Sequence, residues 1–374
     1  MSRQFHRPLV VAITAALGLA ILAPVVHADP QQAMSMREER ARRQAEFAGK
    51  KGHAEEEAKP PLYPEATRQS PEAKVSPKIS KHMQTMQARF KDEDWAGVIA
   101  KADEVGAMSG ASAYEKAAAY SMAGNAAASM DDRAKAEMYF SKAIAMDALD
   151  NDNQYSTMFN LAAIQNDEEK YADALATLDR FLAETHSDKP EHRGFRAGLL
   201  SNLNRNDEAA AIYKKLIAEN PGDKRSLMNG VVALQNADRF AEANELLEMA
   251  YAQGMLKEPG QLRALYVGYI NAKRWNDAKR VIEDGAAKGI LQPGKDLGTA
   301  YQLLAQNAFY EDQLPLAIEL YTKAAPMMED GEGYLNLAKA LDMAGKKAEA
   351  KAAAKQALEK GVKKPEDANR LLSR

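Results

Sequence analysis

The chain of 374 residues contains no cysteine, which excludes disulfides, thiolate metal sites and a cysteine nucleophile. Large aromatic residues are scarce, with 9 Phe and 2 Trp, and an Ala-rich texture with only 22 Gly argues against a large β or α/β enzyme core. Neither sign of charge dominates, since 50 Lys and Arg face 53 Asp and Glu, so nothing predicts nucleic acid as a partner. A hydrophobic content of 46% and a charged content of 28% predict a chain that folds in water, and its Ala-rich texture predicts that the fold is mostly helical.

The first 28 residues have the pattern of an export signal. Arg3 and Arg7 precede an apolar stretch over residues 9–26, and Val26 and Ala28 place small residues where signal peptidase cleaves. We expect cleavage after Ala28 and no stable membrane insertion afterwards. An uncleaved anchor is the alternative, because the stretch is about long enough for a short membrane span. An export signal together with the absence of cysteine predicts a location in a bacterial periplasm.

Residues 29–78 are predicted to form a disordered, charged and proline-rich arm. They contain blocks of both charge signs and few large apolar side chains, so they cannot assemble a core. The prolines are Pro60, Pro61, Pro64, Pro71 and Pro77. The arm is either a solvated spacer or a docking segment for a partner or an anionic surface, and mixed charge blocks favour the spacer.

From residue 79 onward the chain repeats. A small residue recurs in the same local context at intervals of 33 to 39 residues. The eight members are Val98, Ala136, Ala174, Ala209, Ala243, Ala278, Ala317 and Ala350. Bulky residues three positions before this small residue and apolar residues four and seven positions after it share one helical face and define a helix B. Residues thirteen and sixteen positions before the small residue share a face of the preceding helix, helix A. Short polar links such as residues 204–207, 236–239 and 271–274 are predicted to cap one helix and turn into the next.

This spacing resembles the tetratricopeptide repeat (TPR), a helix-turn-helix unit of about 34 residues. The family signature is incomplete, because its helix-A Trp is absent throughout and its Gly is found only at Gly124. We predict an all-α fold, a right-handed α-solenoid of about eight TPR units over residues 79–362, with a C-terminal cap or tail over residues 363–374. The resemblance implies that the A helices line a concave groove, which makes a protein segment the expected ligand.

Two groups of residues invite a chemical interpretation that the context does not support. Residues 289–295 have the spacing of a phosphate-binding loop as far as Lys295, but they lack its Ser or Thr and follow a predicted helix. We interpret Gly289 as a helix C-cap and Pro293 as the start of the next link. A second cluster, His186, Asp188, Glu191 and His192, is predicted to be an exposed link rather than a metal site. We therefore predict no enzyme, no cofactor, no catalytic residue and no metal.

Five residues are candidates for contact with a partner in the groove. Asn202, Asn236 and Asn271 lie seven residues before the helix-B alanine in three consecutive units, and an amide can both donate to and accept from a peptide backbone. Arg225 and Arg263, also expected on the groove face, would pair with acidic ligand groups. The other interpretation, which we favour slightly, is that the three Asn residues merely end helix A; the two interpretations are not exclusive.

A closer resemblance lies in units five to seven. Residues 250–256, 262–270, 275–278 and 285–291 are similar to periplasmic TPR proteins associated with the TonB, ExbB and ExbD energy-transduction systems of Gram-negative bacteria. Gly254, Gly289 and Gly361 reproduce helix ends in which a Gly precedes an apolar residue.

This resemblance implies a periplasmic adaptor that binds TonB, ExbB or ExbD-type envelope components and supports TonB-dependent transport across the outer membrane. A scaffold for another envelope-biogenesis or secretion machine is the alternative in the same class. An envelope hydrolase or ligand-binding receptor is the alternative of a different class, and the sequence contains no constellation for it.

Overall fold

The computed structural model describes residues 60–373, and all regular structure in that range is helical. The first helices are α1 (Pro77–Lys91), α2 (Trp95–Ala107), α3 (Ala113–Ser129), α4 (Arg133–Ala145), α5 (Asn151–Asp167), α6 (Tyr171–Thr185), α7 (Pro190–Asn202) and α8 (Asn206–Glu219). The others are α9 (Lys224–Asn236), α10 (Phe240–Ala252), α11 (Pro259–Asn271), α12 (Trp275–Ala287), α13 (Lys295–Tyr310), α14 (Leu314–Ala324), α15 (Glu332–Met343), α16 (Lys347–Lys360) and α17 (Pro365–Leu372), with a 3-10 turn at Ala325–Met327.

Sixteen of these helices follow one another as eight helix-turn-helix pairs, from α1 and α2 to α15 and α16, and α17 packs against α15 and α16. The prediction of an all-α fold with eight helix-turn-helix units is therefore confirmed. Between residues 60 and 373, no helix is both long and apolar enough to cross a membrane. The predicted signal over residues 1–28 and arm residues 29–59 lie outside the described range.

The helices group into two compact bodies, with the boundary inside α8 between Ile212 and Tyr213. The first body, described from residue 60, has a core that includes Ile79 and Phe181, both fully buried. The second body, described to residue 373, has a core that includes Leu234 and Ile282, also fully buried.

The small residues that mark the repeats lie where the packing is tightest. All eight, from Val98 to Ala350, are at most 1% exposed. Gly124 on α3 shows how little room there is, because a Cβ atom added to it would lie 2.5 Å from the ring of Phe140 on the partner helix α4. Close approach of helices A and B therefore explains the requirement for a small side chain.

In every helix pair, the residue five positions before the small residue has the left-handed backbone conformation and makes the turn. The eight are Glu93, Asp131, Glu169, Asn204, Asp238, Lys273, Asp312 and Gly345, with φ between 57° and 59° in the seven non-glycine residues and 76° in Gly345. In each pair, the N–H of the next residue donates to a carbonyl five positions earlier at 2.8–3.0 Å, as from Arg274 to Tyr269. This is the Schellman pattern, and it confirms that the polar links end helix A and turn into helix B.

Glycine ends helix B where the sequence predicted it. Gly254, Gly289 and Gly361 have φ of 65°, 68° and 89°. Gly289 follows α12, and Gly294 immediately precedes α13, so the segment that resembles a phosphate loop connects two helices. The interpretation as a helix-terminating link is confirmed, because the phosphate-binding motif needs a strand before it.

Residues 60–76 differ from the expectation of a disordered arm. Residues 62–76, which we call the strap, run without helix along the first body before α1 begins at Pro77, and they include a turn in which the Ala66 N–H donates to the Tyr63 carbonyl at 3.2 Å. Tyr63 is only 8% exposed, and its ring packs edge-to-face on Tyr155 and Phe181 with centroids 5.5 Å from each. Burial of this aromatic ring helps to dock a segment whose composition otherwise suggests a solvated tether.

Candidate partner-binding surface

The three candidate asparagines occupy one position of the repeat, the last residue of helix A. Asn202, Asn236 and Asn271 end α7, α9 and α11. Asn236 and Asn271 are exposed in the second body, and Asn202 is half-exposed in the first. The helix-end interpretation therefore describes where they lie.

The amides themselves are not needed to end these helices. The left-handed residue that makes each turn lies two positions later, at Asn204, Asp238 and Lys273. Among the described residues, the side chains of Asn202 and Asn271 make no hydrogen bond. These two amides keep their donors and acceptors available to a ligand.

In the second body, two more residues share this repeat position, and the sequence interpretation missed them. Tyr310 and Met343 end α13 and α15, and they are 72% and 57% exposed. The signal was available, because each lies seven residues before a helix-B alanine, Ala317 and Ala350. In the second body, two amides and two large apolar side chains thus occupy equivalent positions at the ends of successive A helices.

Arg225 and Asn236 lie on one stripe of α9. Along this stripe, exposed Arg225 is followed by half-buried Met228 and Val232 and then by exposed Asn236. Intervals of three, four and four residues keep the four side chains on one helical face. We call these four residues the α9 stripe.

Arg263 and Asn271 lie on an equivalent stripe of α11. Exposed Arg263 is followed after four residues by half-buried Val267 and after four more by exposed Asn271. We call these three residues the α11 stripe. The structure thus places four of the five predicted site residues, in two pairs, on exposed faces of A helices in the second body, while Asn202 belongs to the first body.

The two arginines are uncompensated positive charges. Neither guanidinium makes an ion pair with a described residue. Tyr213 lies near Arg225, and Tyr266 lies near Arg263. Burial raises the pKa of each tyrosine to about 12, although the nearby arginine charge lowers it. Both phenols therefore stay neutral at pH 7 and leave the arginine charge unbalanced.

A cavity of about 380 Å³ lies beside the α11–α12 turn. It is lined by Lys273, Arg274, Trp275, Asn276, Asp277, Gln313 and Leu316. Its charged groups are engaged in ion pairs, since Lys273 contacts Glu311 at 2.8 Å and Arg274 contacts Asp277 at 2.7 Å. The lining holds no nucleophile with an adjacent base, so the cavity offers space for a side chain rather than an arrangement for catalysis.

The histidine cluster was predicted to be an exposed link, and for His192 that prediction is wrong. His186 is exposed, but His192 is 6% exposed and lies 4.9 Å from the ring centroids of both Phe159 and Phe181. Its Nδ1 lies 2.8 Å from the hydroxyl of Ser187. A search of residues 60–373 for three or more grouped metal-ligating side chains finds none.

The chain is similar to solved structures of TPR proteins. No family model and no curated protein matches the sequence. A tetratricopeptide repeat protein from Parabacteroides merdae is similar at a TM-score of 0.40 and 18% identity, covering 69% of this chain and 97% of its own. YrrB, a TPR protein with an unusual peptide-binding site, has a TM-score of 0.40 and 20% identity, covering 46% and 88%. MamA from AMB-1 has a TM-score of 0.39 and 20% identity, covering 46% and 93%.

Proposed function

We propose that the chain is a non-enzymatic adaptor that binds an extended segment of a partner protein along the A helices of the second body. The observation that carries this proposal is the repetition of one order of groups, Arg then apolar then Asn, on the α9 stripe and on the α11 stripe. Repeated presentation of the same groups suits a ligand that is itself a repeating backbone.

Each group on the stripes has a distinct role in such a contact. Arg225 and Arg263 pair with carboxylates of the partner, since no described residue neutralises them. Val232 and Val267 cover aliphatic parts of the ligand. The terminal amide of Asn271 grips main-chain N–H and C=O groups without regard to the ligand's side chains. The proposed ligand is therefore an extended segment that carries acidic residues.

The location and pathway of the adaptor follow from the sequence. Cleavage after Ala28 would release the chain into the periplasm. The resemblance over residues 250–291 supports TonB, ExbB or ExbD-type envelope components as partners, in energy-dependent transport across the outer membrane. Affinity capture from solubilised envelopes with residues 29–374 as bait, followed by mass spectrometry, would identify the partner, and recovery of a different envelope machine would replace this pathway.

The surface assignment has its own test, applied to the partner so identified. We expect the double variant Arg225→Glu, Arg263→Glu to weaken binding at least about tenfold, because reversal replaces two attractions by two repulsions. The matched control is Lys351→Glu, Lys355→Glu on α16, which makes the same charge change at exposed positions elsewhere in the second body. Equal affinity of the two double variants, both with unchanged helical circular dichroism, would move the binding surface away from the stripes.

The asparagines are tested by the triple variant Asn202→Ala, Asn236→Ala, Asn271→Ala. We expect a loss of affinity with an unchanged fold, because the left-handed residues two positions later still turn the chain. If affinity is unchanged while the fold stays intact, these residues only end their helices and the amide assignment is wrong.

A further inference from the structure

The strap is held against the first body by two separate recesses. The first receives Tyr63 between the rings of Tyr155 on α5 and Phe181 on α6. The ammonium group of Lys189 lies 5.6 Å from the Tyr63 ring centroid, within cation–π range. We call Tyr155, Phe181 and Lys189 the aromatic pocket.

The second recess receives the Arg68 side chain, which is 13% exposed, in the turn between α4 and α5. Its Nε donates to Asp147 Oδ1 at 2.8 Å, and its Nη1 donates to the Leu149 carbonyl and to Asn151 Oδ1, both at 2.9 Å. Its Nη2 donates to the Asp147 carbonyl at 2.7 Å. We call Asp147, Leu149 and Asn151 the arginine socket.

The first body also makes hydrogen bonds with the main chain of the strap. Asn151 Nδ2 donates to the Arg68 carbonyl at 2.8 Å, so one amide holds both the side chain and the backbone of the same residue. The Thr67 N–H donates to the Glu184 carbonyl, and the Leu62 N–H donates to Asp152 Oδ1, both at 2.9 Å. Aromatic burial, a guanidinium that donates four hydrogen bonds and main-chain hydrogen bonds are contacts by which proteins bind peptide segments.

The strap is anchored a second time beyond these recesses. The N–H and hydroxyl of Ser76 both donate to the carboxylate of Glu115, which fixes the start of α1. Between the two anchors, Gln69, Ser70 and residues 72–75 are exposed. Residues 62–68 can therefore leave the surface without displacing α1.

We propose that the aromatic pocket and the arginine socket form a peptide-binding site of the first body, which residues 63–68 occupy as a built-in ligand. The site fits a segment of a partner protein that adopts the turned conformation of residues 63–68 and carries an aromatic residue five positions before an arginine, and such a segment binds when the strap is displaced. This site lies in the first body and is separate from the α9 and α11 stripes, so its failure leaves the proposed function of those stripes untouched.

Attachment in cis makes the strap a strong competitor. A ligand on a short flexible connection has an effective concentration of about millimolar, so a free peptide of equal intrinsic affinity binds the intact chain only weakly. Weakening the strap at its two anchoring side chains removes this competition and leaves both recesses in place. The site is therefore expected to be hidden in the wild-type chain and open in a strap variant.

The experiment uses the chain from residue 29 to residue 374 and a fluorescein-labelled synthetic peptide of residues 60–72, with fluorescence anisotropy as the readout. We expect the double variant Tyr63→Ala, Arg68→Ala to bind this peptide at least about tenfold more tightly than the wild-type chain does. Circular dichroism verifies that the variant is folded, and the single variant Arg68→Ala replaces it if the double variant is not. The matched control peptide carries Ala at the positions of Tyr63 and Arg68 and is expected not to bind.

A second variant tests the body's side of the contact. Adding Asn151→Ala to the strap variant is expected to lower its affinity for the peptide at least about tenfold, because the Asn151 side chain makes two hydrogen bonds at the Arg68 position, one to the guanidinium and one to the main-chain carbonyl. The proposal is overturned if the folded strap variant binds no better than the wild-type chain, if it binds the control peptide equally well, or if Asn151→Ala has no effect. In those cases the strap is only a structural part of the first body.

Discussion

At the scale of single residues, one steric constraint is the close approach of helices A and B within a pair. Eight small side chains lie there with almost no exposed surface. The Gly124–Phe140 contact shows that even one added carbon would overlap the partner helix. Packing of this density tolerates neither lost nor added volume well.

The substitution Ala174→Leu on α6 tests this constraint. We expect it to lower the free energy of unfolding by about 1–3 kcal/mol, because three further carbons must fit into a fully buried position. The matched control is Ala172→Leu on the same helix, where the side chain is exposed and the change should stay within about 0.5 kcal/mol. Urea unfolding of both variants provides the comparison, and an equal effect would place the tight contact elsewhere.

At the scale of helices, adjacent B helices are joined by ion pairs. Between α12 and α14, Lys279 contacts Glu319 at 2.6 Å and Lys323 contacts Glu283 at 2.7 Å. Their side chains are 26–41% exposed, so each pair contributes at most about 1 kcal/mol. The buried apolar face between neighbouring helices, and not these pairs, provides most of the stabilisation.

One buried charge does join elements strongly. Glu115 on α3 is 1% exposed, and its carboxylate accepts hydrogen bonds from Ser76 N at 2.6 Å and from Ser112 N at 2.7 Å. Burial favours the neutral acid, but the hydrogen bonds from Ser76 and Ser112 outweigh it and lower the pKa of Glu115 below its ordinary value of 4.5. The ionised carboxylate thereby holds the start of α1 to the start of α3.

This arrangement predicts acid sensitivity. Because the pKa of Glu115 is lower in the folded chain than in the unfolded chain, its contribution to stability is present above about pH 4.5 and is lost as the pH falls through the folded pKa. The variant Glu115→Gln should lose about 1–3 kcal/mol of unfolding free energy at pH 7, with a smaller difference from the wild type in acid. Urea unfolding at pH 7 and pH 4 measures both effects.

The control for this prediction is Glu349→Gln on α16. The Glu349 side chain is 60% exposed, so its replacement should change the unfolding free energy by less than about 0.5 kcal/mol at either pH. If Glu115→Gln behaves like this control, the carboxylate does not hold α1 to α3.

At the scale of the whole molecule, the proposed export can be tested directly. We expect the chain recovered from a Gram-negative periplasmic fraction to begin at Asp29, which N-terminal sequencing would show. The variant Ala28→Arg should leave the precursor uncleaved, because a large charged residue does not fit the signal-peptidase site, whereas Ala33→Arg should be cleaved normally. A recovered chain that still begins at Met1 would instead indicate the uncleaved anchor.

The periodic part of the fold was predictable to within a few residues. The repeat was expected over residues 79–362, and the helix pairs run from Pro77 to Lys360. The candidate surface was predictable in part, because helical periodicity places Arg225 with Asn236 and Arg263 with Asn271. Tyr310 and Met343 were missed because the prediction followed one residue type, Asn. What repeats is the position, the last residue of helix A.

The sequence by itself determined the helix pairs, because each depends on groups that are close along the chain. Helix A, its left-handed turn and helix B all lie within one repeat of 33 to 39 residues, and their pattern of small and apolar residues is complete within that length. Only the tertiary structure decided where residues 62–68 lie and that His192 is buried. Arg68 is hydrogen-bonded to Asp147, which lies 79 positions later in the chain, and Thr67 is hydrogen-bonded to Glu184, which lies 117 positions later. Residues 62–68 have no regular secondary structure, so no periodic sequence pattern predicts these partners. The recesses that hold them exist only after the helices have placed their turns side by side.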